Sequence, residues 1–141
     1  MKKRILIYGI SALWWCAMMV LLSQKATDSE ALSGGILDWI VKVLPFLEEY
    51  RDELHTPLRK LAHFFGYAIE GFLLTKAGLR DANVPVGAGM SVAGELVQLL
   101  SPGRSCSPQD MAIDFSGYIL GAWCAAKVFV MHKHTDKEQG K

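Results

Sequence analysis

The stretch ILIYGISALWWCAMMVLL, Ile5 to Leu22, runs eighteen residues without a charge. As a helix at about 1.5 Å per residue it is roughly 27 Å long, close to the ~30 Å hydrocarbon core of a bilayer. Few soluble folds give such a segment a place on all sides. The chain has 141 residues, a single-domain length, and 51% of them are apolar, so lipid is the expected solvent. Lys2-Lys3-Arg4 before the run also suits a secretory signal. The run is long for that role, however, and SQKATDSEA offers no convincing small-x-small cleavage site, so an uncleaved anchor is expected.

Three further stretches approach the same length, with interruptions. Residues 58–77 carry Arg59, Lys60, His63, Glu70 and Lys76; residues 82–100 carry only Glu95; residues 111–130 carry only Asp114 and Lys127. The expected fold is therefore all-α. It is a four-helix transmembrane bundle with spans near 5–22, 58–77, 82–100 and 111–130 in one domain of residues 1–130, followed by a polar, disordered cytoplasmic tail at 131–141. Thr56-Pro57 reads as an N-cap with proline at the first helical position, and Ser107-Pro108-Gln109-Asp110 repeats that signal with an acid at the third position. Ser101-Pro102-Gly103 ends the third span in a tight turn, making a hairpin of spans three and four.

Basic residues set the orientation. Lys2, Lys3 and Arg4 flank the first span, and four crossings return the Lys76–Asp81 turn and the tail to that side, which the positive-inside rule makes cytoplasmic. Both termini are expected inside. The outer loop, residues 23–57, holds seven acids against three basic residues. Within it Ile36, Leu37, Ile40, Val43, Leu44 and Leu47 recur at helical spacing beside Trp39, predicting an amphipathic interfacial helix that bends or ends near Pro45.

The spans also carry polar seams. On the second, Lys60, His63, Tyr67 and Glu70 fall within an arc of roughly 80°. Gly87, Ser91, Gly94, Glu95 and Gln98 form a stripe on the third, and Asp110, Asp114, Gly117 and Gly121 form one on the fourth. Lipid offers no hydrogen bonds, so these seams should face one another, with the glycines letting the backbones approach. Glu95 and Asp114 lie only about 7 and 6 Å from the outer helix ends. The polar residues should thus converge in a pocket open to the outside.

The pieces RKLAHFFGY, 59–67, and ELVQLLSPGRSCSPQDMAIDFSGYILG, 95–121, resemble the VanZ-like family of small bacterial membrane proteins. That family pairs a basic-x-x-His-x-x-x-Tyr helix with Glu-x-x-Gln, a Pro-Gly-Arg turn, an Asp, and an Asp or Asn before glycine. The likeness covers about 60 residues. It implies four transmembrane helices and, from the founding member, reduced susceptibility to glycopeptide antibiotics such as teicoplanin, without supplying a reaction. Its positions here are Lys60, His63, Tyr67, Glu95, Gln98, Arg104, Asp110, Asp114 and Gly117. Members often carry acids where this chain has Gly66 and Gly94, and Glu70, one turn deeper, is a substitute for the first only.

Chemically, Lys60 and Arg104 suit a phosphate, and His63, Glu95 and Asp114 offer acid and base groups. The expected catalytic residues are His63, Glu95 and Asp114; the expected ligand-binding residues are Lys60, Tyr67, Gln98, Arg104 and Asp110. Partners are membrane lipid and a lipid-linked cell-wall precursor or glycopeptide. The competing reading is a non-enzymatic scaffold or immunity-type protein in which the same residues form a structural charge network. A proton-coupled carrier through Glu70 fits less well, because four helices without an internal repeat give little material for alternating access. No cofactor, metal or nucleic acid is expected, since HExxH-like spacing, phosphate-cradling glycine loops and nucleic-acid motifs are missing. Cys16, Cys106 and Cys124 are too few and too scattered for a disulfide framework.

Overall fold

A computed structural model describes residues 1–79 and 81–139, with side chains as far as residue 128. The described chain is all-helical: α1 Lys2–Leu22, α2 Ala26–Val43, a 3-10 turn Pro45–Tyr50, α3 Arg51–Ala77, α4 Asn83–Leu99 and α5 Pro108–Gln139. Helix α3 lies at the centre, packed most extensively on α5 and next on α1, while α4 covers α5 and α2 lies against α3. Helices α1 and α4 end where the bundle parts of α3 and α5 begin, and this end is stitched together. The Ala26 N–H donates to the Pro102 carbonyl at 3.2 Å, and the Ser101 hydroxyl donates to the Ser23 carbonyl at 3.0 Å.

Two helix boundaries depart from the sequence reading. Helix α3 starts at Arg51 instead of residue 58, so Pro57 lies inside the helix and Thr56 is not its cap. Tertiary contacts hold the extra turns despite the lost backbone donor. Arg51 pairs with Asp38, Nε to Oδ1 2.8 Å, and the Ser33 hydroxyl meets the His55 ring at 2.9 Å. Helix α5 also runs on to Gln139, beyond the expected end of its span and through most of the tail expected to be disordered. Extending a formed helix costs far less than nucleating one, and the tail has no glycine or proline before Gly140. The other signals hold. Helix α5 begins at Pro108, and the Asp110 N–H reaches the Ser107 hydroxyl at 3.4 Å. Helix α2 stops just before Pro45, although it buries Ser33, Leu37 and Val41 and leaves Ile36, Trp39, Val43 and Leu44 exposed.

The close approach of α3 and α5 rests on glycine. A Cβ on Gly117 would strike the carbonyl of Phe64, one on Gly121 the carbonyl of Ala68, and one on Gly71 the carbonyl of Tyr118. Backbone therefore lies against backbone at three levels. Gly78, at φ 117°, supplies the left-handed residue that closes α3, where its N–H and that of Leu79 return to Leu74.

On α4 the polar residues turn inward and the large apolar ones outward. The buried residues of α4 are Gly87, Ser91, Gly94, Glu95 and Gln98, while Val84, Val92, Leu96 and Leu99 are exposed. Ile5, Leu13 and Val20 on α1, Leu61, Phe65 and Ile69 on α3, and Leu120 and Trp123 on α5 also face outward. By length and composition, α1 is the one described helix that qualifies as a membrane crossing. Helix α4 is only 17 residues long, and α3 and α5 carry inward-facing acids.

Candidate functional site

The seams of α3, α4 and α5 do face one another. Tyr67 and Glu70 on α3, Glu95 and Gln98 on α4 and Asp114 on α5 are all buried. At the end of the bundle where α5 begins, a cavity of about 10 Å³ is lined by Arg59, Lys60, His63, Gln98, Asp110, Ile113 and Asp114. That volume accommodates about one water.

Asp114 is the central group. It is fully buried on the α5 face toward α3, close to the Tyr67 hydroxyl, although neither carboxylate oxygen makes a well-formed hydrogen bond among the described residues. His63 lies beside it, Nδ1 to Oδ1 3.4 Å, within ion-pairing reach but longer than a well-formed hydrogen bond. One level nearer the helix end, Lys60 Nζ lies 3.4 Å from Asp110 Oδ1 and donates to the Gln109 side-chain oxygen at 3.4 Å. Helical spacing accounts for the stacking: Lys60 and His63 are three residues apart, as are Asp110 and Ile113, with Asp114 one turn from Asp110.

Five of the eight expected site residues, Lys60, His63, Gln98, Asp110 and Asp114, share this cavity, and three do not. Glu95 sits behind Gln98 with both oxygens occupied, accepting from the Gln98 amide at 3.0 Å and from the Ser107 N–H at 2.8 Å. It anchors the α4–α5 turn to α4. Tyr67 lies deeper, its hydroxyl donating to the Met90 carbonyl at 3.3 Å. Arg104 was expected in the same pocket, but the turn at Gly103, φ 78°, sends its side chain toward the end of α1, where Nη1 donates to the Gln24 carbonyl at 3.5 Å. There it lines a neighbouring groove between α1, α2 and α3 instead. Burial and the nearby Arg59 guanidinium lower the Arg104 pKa, while Glu95 and Asp110 act in the opposite direction.

Two participants escaped the sequence reading. Arg59, taken there only as part of a basic helix start, lines both the small cavity and the groove, as His63 does. Ser11 in α1 donates its hydroxyl to Glu70 Oε1 at 2.6 Å, leaving Glu70 Oε2 without a partner. A lone serine in an apolar span was the available signal, because its hydroxyl needs an acceptor in lipid.

The two glycines at positions where acids were expected also find an explanation. Gly94 lies against the Tyr67 hydroxyl, so a side chain there would displace the phenol. Gly66 faces away from the cavity toward α1, beside Met18, and its carbonyl accepts from Trp14 Nε1 at 3.0 Å. Among the described residues no three His, Cys, Asp or Glu side chains converge as metal ligands. The three cysteines are free, with Cys106 partly exposed in the α4–α5 turn.

A family model described as VanZ/LLP1 matches residues 6–130. Searches of curated proteins and of solved structures returned no match.

Proposed function

The chain belongs to the VanZ-like family, and from that premise we propose that it is a multi-pass protein of the bacterial cell membrane. In this reading α1, α3, α4 and α5 cross the bilayer, α2 lies along the outer interface, and both termini are cytoplasmic. Support comes from the many large apolar side chains exposed on these helices, from the buried acids Glu70, Glu95 and Asp114, and from Lys2, Lys3 and Arg4 at the end opposite the polar cavity. The cavity then opens toward the cell exterior. There it engages an anionic, hydroxyl-bearing headgroup of the cell envelope, such as that of a lipid-linked wall precursor, and so lowers susceptibility to glycopeptide antibiotics.

The observation that carries this reading is Asp114, a fully buried carboxylate set beside His63 at a water-sized cavity. An ionisable group buried within a membrane span costs several kcal/mol and normally marks function or a required pairing. A headgroup seated at the cavity mouth brings its charge to Arg59 and Lys60, and its hydroxyls reach Asp114 directly or through one water.

The second reading, a structural charge network, is favoured by Glu95, whose two oxygens are spent on Gln98 and Ser107. Asp114→Asn and His63→Gln, expressed in cells, separate the two. Normal folded yield in the membrane with lost glycopeptide protection supports the site. Yield and protection falling in parallel supports the network and overturns the headgroup reading.

A further inference from the structure

Beside the polar cavity, and separated from it by His63 and Arg59, is a groove of about 350 Å³ between α1, α2 and α3. This lies in the range of small-molecule pockets, about 300–1,000 Å³. Its walls are apolar, including Trp14, Leu21, Leu32, Ile36, Phe65 and Ile69, whereas Arg59 and Arg104 line it where α1 ends. From Arg59 to Ile69 the α3 wall runs ten residues, roughly 15 Å along the helix axis. Helix α2 contributes Leu32, Ser33 and Ile36 to the far wall and is tied to α3 through His55.

The two arginines are the informative pair. Neither forms an ion pair with an acid among the described residues, and the single hydrogen bond of the Arg104 side chain goes to a backbone carbonyl. Both line the groove where its apolar walls meet the polar end of the bundle. Like charges held together at the head of an oily trench match an amphiphile with an anionic head. Guanidinium forks suit phosphate oxygens in particular.

We propose that this groove seats one acyl chain of an anionic membrane phospholipid, its phosphate held between Arg59 and Arg104. In the topology proposed above, on which this inference rests, the arginines stand at headgroup level and the groove descends along the chain direction of an outer-leaflet lipid. The seat places the headgroup against His63, which with Arg59 lines both cavities. The site thereby selects an anion that carries an acyl chain.

The test uses the purified full-length protein in detergent, with native mass spectrometry to count retained molecules. The probes are phosphatidylglycerol, phosphatidylcholine and glycerol 3-phosphate, which is a phosphate head without chains. One phosphatidylglycerol per protein chain is expected, with phosphatidylcholine lost. Arg59→Gln with Arg104→Gln should weaken phosphatidylglycerol retention by at least about tenfold. Ala17→Phe and Ala62→Trp, which fill the groove from α1 and α3, should do the same while leaving glycerol 3-phosphate binding unchanged. Two such variants, each checked for a monodisperse folded state, guard against one failing to fold.

Equal retention of both lipids, or retention untouched by both groove-filling variants, would overturn the acyl seat. Glycerol 3-phosphate binding as tightly as phosphatidylglycerol would also overturn it, while leaving the headgroup reading intact. If neither probe binds, the acyl seat falls, while the headgroup reading is decided by the Asp114 and His63 variants. A dimer or bound peptide that is lost with Ala62→Trp assigns the groove to a protein partner and refutes the lipid.

Discussion

Gly117→Ala tests the packing on which the site depends. A single methyl group there points at the Phe64 carbonyl of α3, and backbone cannot rotate aside as a side chain can. The helices must separate, and overpacking of this kind typically costs about 1–3 kcal/mol. Alanine also gains helix propensity of up to about 1 kcal/mol over glycine, which would mask part of that cost. Gly89→Ala removes this ambiguity, because a Cβ at Gly89 meets nothing within 4 Å while the propensity gain is the same. The difference between the two variants isolates the close contact, so Gly117→Ala should be less stable than Gly89→Ala by about 1–3 kcal/mol. The injury is local to the site, since Phe64 adjoins His63 and Asp114 lies one turn from Gly117, so their 3.4 Å approach should lengthen. Thermal unfolding of the detergent-solubilised variants, followed by circular dichroism, reads the stability difference. Equal midpoints would show that α3 and α5 do not cross at this glycine.

Other expected outcomes follow from single side chains. Glu95→Ala leaves the Ser107 N–H and the Gln98 amide without their acceptor and should destabilise the fold by about 1.5–3 kcal/mol, with less loss for Glu95→Gln, both measured by the same melts. Ser11→Ala strips Glu70 of its hydrogen-bond donor in the bundle core, and about 1–3 kcal/mol should be lost; no change would mean that α1 does not hold this register. Leu96→Ala, on the exposed face of α4, should shift the midpoint far less than Ser91→Leu on its buried face, and the reverse order would show the helix facing the other way.

How far the sequence discloses this arrangement depends on the kind of residue. The α4 stripe read from spacing, Gly87, Ser91, Gly94, Glu95 and Gln98, is the same set that the fold buries, because a straight helix between apolar surroundings has one place to put polar groups. Asp110 and Pro108 also sit where capping chemistry puts them. Pro57 misled because Asp38 and Ser33, distant in sequence, hold the turns preceding it. The direction of Arg104 was hidden in the turn at Gly103, which a helical wheel does not describe. Arg59 and Lys60 looked interchangeable in sequence, yet 100° of helix rotation turns Lys60 to Asp110 and leaves Arg59 at the groove. The roles of Glu95 and Asp114, similar on paper, diverge because one carboxylate meets the Ser107 N–H and the other meets a cavity.

The central claim is that the turn between α4 and α5, and the polar cavity beside it, face the cell exterior. Cys106 reports on it, being partly exposed in that turn. With Cys16 and Cys124 replaced by alanine, a membrane-impermeant maleimide applied to intact cells should label Cys106. Labelling that appears only after the membrane is permeabilised would place the cavity in the cytoplasm and contradict the account.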